Sequence, residues 1–179
     1  MKTQLTKAVG LTAALAASVA LLAVAGSGTA DAQTVRAPQR CSTGDLKASL
    51  HADDNQAGVG NFGENLALTN TSHQTCTVYG YPGLGLQNGK HTVLPITVVW
   101  GSTYFAADPG RHTVTLKPGQ SAWSDLAWNA PYGVKSVTPS YLEVTPPDET
   151  THLTIGFAPG PINDGSLHVT ALAAKLPVE

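Results

Sequence analysis

The strongest constraint on the fold is an alternation of apolar and polar residues that recurs along the chain after Ala32. Leu46, Ala48 and Leu50 alternate with polar residues, and residues 64–68 repeat the pattern. A period of two places apolar side chains on one face of a β-strand. No stretch of ten or more residues beyond Ala32 shows a helical period free of glycine and proline. The chain is therefore predicted to be all-β.

Further segments with this pattern, the last at residues 167–172, are separated by clusters of turn residues. About eight short strands at this spacing indicate an antiparallel, two-sheet β-sandwich of the immunoglobulin-like type rather than a barrel.

Two turns are predicted from residue type. Asn88-Gly89, between residues 84–86 and 93–99, predicts a hairpin with a type I′ turn, because that turn needs a positive φ at both central residues. Pro95 marks the second arm as an edge or bulged strand, since proline cannot donate to a sheet ladder. Residues 117–120, Lys-Pro-Gly-Gln, predict a type II turn in which proline sets φ and glycine takes the left-handed position.

Residues 1–32 are predicted to be a cleavable signal peptide. Two lysines precede a small and apolar run over residues 9–25, and Ala30-Asp31-Ala32 fits the small-x-small cleavage rule. An uncleaved membrane anchor is the alternative, because the run approaches the roughly 18 residues that span a bilayer. The run is only moderately hydrophobic, however, and lacks a stop-transfer flank. Residues 33–40 then form a short tether, and residues 41–179 form one domain.

Charge argues against two classes of partner. Removal of the signal peptide leaves eight Lys and Arg against eleven Asp and Glu, with no basic cluster. Nucleic acids and anionic membranes are bound by clustered positive charge. Charged residues make up only 12% of the chain, so Thr, Ser, Asn, Gln and Gly supply most of the polar surface. We expect no nucleic-acid partner, no membrane insertion after cleavage, no cofactor, and a monomer that is secreted or associated with the cell wall.

The chain has two cysteines, Cys41 and Cys76. In an oxidising compartment such a pair forms a structural disulfide far more often than a redox or metal site. Closing a loop of this length is worth roughly 3 to 4 kcal/mol in the chain-entropy model. The disulfide is predicted to hold the start of the domain to its third strand.

Four motifs occur in an order that is similar to a known family. They are Cys41 at the domain start, Leu68-Thr69-Asn70-Thr71-Ser72 with Thr75-Cys76-Thr77, Gly80-Tyr81-Pro82-Gly83, and Leu116-Lys117-Pro118-Gly119-Gln120-Ser121-Ala122. Over residues 41–172 the chain resembles the actinobacterial exported family catalogued as domain of unknown function 4232. The resemblance implies a secreted or surface-attached protein with an immunoglobulin-like sandwich, often a lipoprotein or behind a tether. It implies no established activity.

The chain departs from the family pattern in its second half. Many members carry a second cysteine pair near the positions of Lys135-Ser136 and Ile162-Asn163 here. Neither segment has a cysteine in this sequence. We therefore expect packing and hydrogen bonds alone to hold the last strands.

Six histidines raise the question of a metal site. None has the spacing of a known zinc motif, and most alternate with apolar neighbours or lie in turns. We interpret them as solvent-facing residues and predict no metal ligand. His51 with Asp53 and Asp54 comes closest to a ligand cluster, although the same residues suit a solvated turn.

Motifs for covalent catalysis are lacking in the sequence. We find no G-x-S-x-G, no S-x-x-K and no cysteine free for activation, and therefore predict no catalytic residues. Glycoside hydrolysis requires two carboxyl groups across a cleft. Glu64 with Asp125 or Glu143 is a combination that the sequence neither excludes nor favours.

Aromatic side chains are the strongest candidates for a binding surface. Trp100, Tyr104 and Phe105 flank or occupy the longest irregular segment, and an exposed patch of these three residues is the predicted candidate binding surface. The alternative is that most aromatic residues belong to the core. Trp123 and Trp128 are five residues apart on one predicted strand, so they should face opposite sides, with one of them exposed.

Together these features favour a non-enzymatic extracellular binding module whose partner is a cell-envelope component or another exported protein. This interpretation depends on absent motifs and on the fold, which is an argument by analogy. One alternative is a metal-handling protein or enzyme with a site assembled from distant strands, for example around His51 or His112. Another is an inhibitor of exported proteases that presents residues 101–112 as an extended loop.

Overall fold

The computed structural model describes residues 38–133 and 135–176, so the predicted signal peptide, residues 1–32, lies outside the described residues. In these ranges the chain is all-β, as predicted, with a 3₁₀ turn at Thr43–Asp45 as its one helical element. No helix in this part of the chain is long and apolar enough to cross a membrane. The strands described are β1 (Gln39–Arg40), β2 (Leu46–His51), β3 (Ala57–Gly58), β4 (Asn61–Asn70), β5 (Cys76–Tyr79), β6 (Gly83–Gln87), β7 (Val93–Leu94), β8 (Thr97–Trp100), β9 (Thr113–Leu116), β10 (Ser121–Asn129), β11 (Ser136–Val137), β12 (Tyr141–Thr145), β13 (Leu153–Gly156), β14 (Ile162–Asn163) and β15 (Ser166–Val169).

The described strands form several sheets, none of which closes into a barrel. The largest has the strand order β2-β4-β10-β15-β8, with β3 beside β4. The others have the orders β1-β5-β9, β13-β12-β6-β7 and β11-β14. Most neighbouring strands are antiparallel, but β8 runs parallel to β15 and β1 runs parallel to β5.

Alternation along the strands builds the core. Leu66 and Leu68 on β4 and Leu126 on β10 are fully buried, because residues two apart share one face of a strand. They belong to a hydrophobic cluster that also includes Val78 of the β1-β5-β9 sheet and Leu142 of the β13-β12-β6-β7 sheet. The apolar periodicity of the sequence thus corresponds to one shared core.

Trp123 and Trp128 face opposite sides of β10, as predicted. Trp128 is buried in the hydrophobic cluster. Trp123 is partly exposed, and its ring meets the edge of His51 with centroids 5.1 Å apart. Trp128 therefore belongs to the core, and Trp123 lies on the outer face of the sheet.

Cys41 and Cys76 form the predicted disulfide, with their Cα atoms 4.9 Å apart. Gln39 and Arg40, the last residues of the predicted tether, pair in parallel with Cys76 and Thr77. The Cys41 N–H also donates to the Thr77 carbonyl at 2.9 Å. Hydrogen bonds therefore reinforce the disulfide in joining the start of the domain to β5.

Two of the family-like motifs meet at the fully buried side chain of Asn70. Its Nδ2 donates to the Leu116 carbonyl at 2.9 Å, and its Oδ1 accepts the N–H of Ser72 at 2.9 Å. The Asn70 N–H donates to the Gln120 carbonyl, and the Asn70 carbonyl accepts the Gly119 N–H. These motif residues hold β4 to the turn between β9 and β10.

The type II turn at residues 117–120 is confirmed. Gly119 has a φ of 80°, and the Gln120 N–H donates to the Lys117 carbonyl at 2.9 Å. The turn joins β9 of one sheet to β10 of another.

The predicted hairpin of β6 and β7 forms, but the prediction of a type I′ turn is wrong. The pairing leaves a five-residue loop at 88–92, in which His91 rather than Asn88 takes a positive φ, of 58°. The Asn88 Oδ1 accepts the N–H groups of Lys90 (2.9 Å) and Thr92 (3.0 Å). This side-chain turn stabilises a longer loop than the dipeptide alone predicts.

The single strand predicted over residues 93–99 is two strands in different sheets. β7 pairs with β6, whereas β8 pairs with β15 in the largest sheet. Pro95 lies between them, where its nitrogen need not donate to a ladder. The chain therefore changes sheet at the proline.

The two segments in which the resemblance implied a second cysteine pair are paired strands in this structure. Ser136 of β11 is opposite Asn163 of β14, and Ile162 beside it is fully buried. Pairing and packing therefore bring these segments together without a covalent bond.

Candidate binding surface

The loop at residues 101–112 is attached to the largest sheet through Thr103, Phe105 and Ala106. The Thr103 hydroxyl donates to the carboxylate of Asp125 on β10 and accepts the N–H groups of Phe105 (3.1 Å) and Ala106 (3.0 Å). Phe105 and Ala106 are both buried. This geometry does not favour the inhibitor alternative, which calls for an extended, exposed loop.

Phe105 is only 9% exposed, so its predicted place in an exposed patch is wrong. Its ring covers Gly63 of β4, where an added Cβ would lie 2.9 Å from Phe105 Cδ2. The missing side chain at Gly63 leaves the space that the ring fills. A glycine inside an alternating strand is the signal in the sequence that indicates such a close contact.

Trp100 and Tyr104 are exposed, at 54% and 58%, but they line different hollows. Tyr104 borders a hollow of about 100 Å³ together with Trp128 and His168. Trp100 borders a groove of about 380 Å³. The three residues of the predicted patch are thus divided between the interior and two separate surfaces.

The groove at Trp100, here named the aromatic groove, is assembled from distant parts of the chain. A larger hollow of about 760 Å³ lies beside β11 and β14, but no aromatic ring lines it. The end of β5, the end of β8, the loop before β9 and the turn after β12 all contribute to the aromatic groove. Its lining consists of Tyr79, Tyr81, Gly83, Trp100, Arg111, Thr145, Pro146, Pro147, Asp148 and Glu149.

Two stacked rings and one cation form the centre of the aromatic groove. The rings of Tyr81 and Trp100 have centroids 5.6 Å apart and planes 15° apart. The guanidinium carbon of Arg111 lies 5.5 Å from the Tyr81 centroid and 5.8 Å from the Trp100 centroid, within the range of a cation–π contact. Gly80, which precedes Tyr81, has a φ of 91°, a backbone conformation that favours glycine.

Asp108 fixes the orientation of Tyr81. One of its carboxylate oxygens accepts the Tyr81 phenol, and the other accepts the Ala171 N–H at 2.8 Å. The hydrogen bond to Asp108 raises the pKa of Tyr81, and desolvation and the charge of Asp108 add to this effect. Tyr81 therefore remains a neutral hydrogen-bond donor under physiological conditions.

Arg111 is exposed and forms no ion pair among residues 38–133 and 135–176. A guanidinium carries five N–H donors in a planar fork. The ring faces of Tyr81 and Trp100 accept none of them as ordinary hydrogen bonds, so the donors of Arg111 are available to a ligand. Sequence reasoning missed this residue, because nothing local to residues 109–112 indicates contact with rings from two other segments.

A proline-rich turn supplies the acidic residues of the groove. The Glu149 N–H donates to the Pro146 carbonyl at 3.1 Å, and Asp148 takes a left-handed φ of 61°. Glu149 is already paired, since its carboxylate lies 3.0 Å from Arg40 and accepts hydrogen bonds from Thr43. Asp148 is exposed and has no side-chain hydrogen bond or ion pair within the described ranges.

The histidines do not converge on a metal site. Across residues 38–133 and 135–176, no three His, Cys, Asp or Glu side chains are grouped as metal ligands. His51 hydrogen-bonds the Ser49 hydroxyl at 3.0 Å, and Asp53 accepts hydrogen bonds within its own turn. His112 bonds a carbonyl of its own loop. Among the described residues, neither His51 nor His112 belongs to a group of three possible metal ligands.

Glu64 and Asp125, one of the two carboxyl pairs that the sequence left open, lie on opposite faces of one sheet. In the β4–β10 ladder Asp125 is opposite Asn65, whereas Glu64 is opposite Leu126. Residues directly opposite share a face, so Asp125 and Glu64 lie on opposite faces of the sheet. Glu143 belongs to a different sheet, where it lies 3.3 Å from His152.

Asp125 instead anchors loops to the outer face of β10. It is fully buried and accepts hydrogen bonds from Gln56 Nε2 and Thr103 Oγ1, and its N–H donates to Thr170 Oγ1 at 2.9 Å. Burial raises the pKa of Asp125, and the two hydrogen bonds only partly offset this effect. The nearby charge of Asp53 raises the pKa further.

The fold and the groove define an all-β, disulfide-bonded domain with an exposed aromatic surface and an arginine, Arg111, that has no ion-pair partner among the described residues. A family model described as Domain of unknown function (DUF4232) matches residues 41–173, and the chain belongs to that family. The resemblance seen in the four sequence motifs is thereby confirmed. Comparisons with curated proteins and with solved structures give no match.

Proposed function

We propose that this protein is a non-enzymatic extracellular module that binds a cell-envelope component, or another exported protein, through the aromatic groove. One observation carries the proposal: Arg111 and the exposed Trp100 are held against Tyr81, which Asp108 fixes in turn. A site that is already ordered loses little conformational entropy when a ligand binds. Exposed aromatic surface costs solubility, so its presence supports a role in recognition.

The proposed location and architecture have separate support. The disulfide is typical of an oxidising compartment, and the predicted signal peptide accords with export to the cell surface of an actinobacterium. We also infer an immunoglobulin-like sandwich, because residues from all three larger sheets share one hydrophobic cluster.

A capture experiment with matched variants tests the groove. The oxidised protein is immobilised and exposed to the isolated envelope and secreted proteins of its host. Trp100→Ala removes a groove ring, whereas Tyr104→Ala removes a ring of nearly equal exposure from a different hollow. We expect saturable capture that Trp100→Ala weakens at least about tenfold, the scale of a binding hot spot, and that Tyr104→Ala leaves unchanged.

Two outcomes contradict the proposal. Absence of any saturable partner argues against a binding module. If Tyr104→Ala abolishes capture and Trp100→Ala does not, the binding site lies in the hollow beside His168 and not in the aromatic groove.

A further inference from the structure

We propose that the aromatic groove binds an acidic glycan, with a sugar ring on Trp100 and its carboxylate on Arg111. This inference rests on the proposed function and names the ligand of the same site. It requires three properties of the groove: an available cation, a flat apolar surface, and an acceptor for hydroxyl groups.

The cation is Arg111. No acidic side chain of the described chain pairs with it, and its contacts are the faces of Tyr81 and Trp100. Stacking on rings holds the guanidinium while its N–H edge stays free. A planar fork of N–H donors matches a carboxylate through two parallel hydrogen bonds. Arg111 therefore selects for an anionic group on the ligand.

The flat surface is formed by the rings of Tyr81 and Trp100. Their centroids are 5.6 Å apart, so the rings contact each other and leave no slot between them for a proline side chain. Proline-rich peptides bind aromatic-lined grooves that accept the proline rings. Trp100 instead remains 54% exposed, although Tyr81 and Arg111 both contact its ring. The C–H face of a pyranose ring can stack there, and this favours a glycan over a proline-rich peptide.

Asp148 supplies the acceptor. Its exposed carboxylate borders the same groove without a partner among the described residues, whereas Glu149 is neutralised by Arg40. An ionised carboxylate accepts hydrogen bonds only, and sugar hydroxyl groups are donors. It also opposes ligands of high negative charge density, such as polyphosphates. One carboxylate among several hydroxyl groups therefore suits Arg111 and Asp148 together.

Chemical treatment of the isolated envelope identifies the ligand class. Amidation removes carboxylate charge, periodate opens sugar rings with vicinal diols, hydrofluoric acid releases phosphodiester-linked polymers, and protease removes proteins. We expect amidation and periodate each to lower binding of the full-length oxidised protein at least about tenfold, because each removes one of the required contacts. Protease and hydrofluoric acid should leave binding unchanged.

The variant Arg111→Gln tests whether Arg111 binds the carboxylate of the ligand. The variant should bind the untreated envelope at least about tenfold more weakly, yet equal the unchanged protein on the amidated envelope, because two changes to one contact are not additive. Lys90→Gln, at an exposed turn outside the groove, removes the same charge as a control. Near-ultraviolet circular dichroism of Arg111→Gln checks that the rings remain stacked.

Several results would overturn the inference. Loss of binding after protease identifies a protein partner, and loss after hydrofluoric acid identifies a phosphate polymer. Retention after periodate excludes a sugar ring with a vicinal diol as the group bound at Trp100. If Arg111→Gln lowers binding to the untreated and to the amidated envelope by the same factor, Arg111 does not contact the carboxylate. Each of these results leaves the proposed function intact if Trp100→Ala still weakens capture at least about tenfold, whereas the absence of any capture contradicts the proposed function itself.

Discussion

At the scale of single residues, Asn70 illustrates how a buried amide supports the fold. Its side chain satisfies the Leu116 carbonyl and the Ser72 N–H, so Asn70→Ala leaves buried polar groups without partners. We expect a loss of about 3 kcal/mol in the free energy of unfolding, measured by urea denaturation. Asn55→Ala, in an exposed turn, should cost less than about 0.5 kcal/mol. Similar small losses for both variants would contradict this role for Asn70.

Asp125 predicts a pH dependence of stability. Burial raises the pKa of this carboxyl in the folded state above its unfolded value, so the folded state binds the proton more tightly. The stabilising effect of that proton is complete below the unfolded pKa of about 3.9 and is lost as pH rises through the raised pKa. The stability of the protein relative to Asp125→Asn should therefore fall as pH rises above about 4. Urea denaturation of both proteins from pH 4 to 8 measures this difference in the free energy of unfolding. A difference that stays constant or rises with pH would contradict the prediction.

At the scale of elements, the contact between Gly63 and Phe105 holds residues 101–112 against the sheet. Gly63→Ala places a Cβ 2.9 Å from the Phe105 ring, so the ring must move and the loop loosens. We expect faster amide hydrogen exchange at residues 103–108 and a loss of about 1 to 3 kcal/mol. Gly58→Ala is the matched control in the same sheet, because no atom lies within 4 Å of its added Cβ. Unchanged exchange in Gly63→Ala would show that Phe105 does not anchor the loop.

Most strands were predictable because alternation is a local property. The segments at residues 46–50 and 64–68 follow it, and both lie within strands. The pairing of strands is not local, which explains why residues 93–99 were predicted as one strand although they join two sheets. The hairpin loop was misjudged for a related reason, since the Asn88 side chain competes with the backbone turn.

The candidate site was only partly predictable. Trp100 was identified from its place at the start of an irregular segment, and it does line the aromatic groove. Arg111 and Asp148 were not identified, because their neighbours in the groove come from distant parts of the chain. Phe105 was wrongly assigned to the surface, because its exposure depends on the absent side chain at Gly63.

At the scale of the whole molecule, the disulfide and the shared core contribute separately to stability. Cys41→Ala with Cys76→Ala should lower the free energy of unfolding by roughly 3 to 4 kcal/mol, through greater freedom of the unfolded chain. The fold should persist, because the hydrophobic cluster includes residues of three sheets besides the disulfide. Urea denaturation of the double variant and of the oxidised protein measures the difference. A double variant that is unfolded without denaturant would show that the core is not sufficient alone.

The central claim is that the aromatic groove, with Arg111 on its stacked rings, is the surface that recognises a ligand. The most direct measurement is a nuclear magnetic resonance titration of the isotope-labelled, oxidised protein with solubilised envelope fragments, following the indole N–H groups of Trp100, Trp123 and Trp128. We expect the Trp100 indole and the Arg111 Nε–H signals to shift and saturate together, while the buried Trp128 signal stays in place. Saturating shifts at Trp123 or around Tyr104, with Trp100 and Arg111 unchanged, would contradict it.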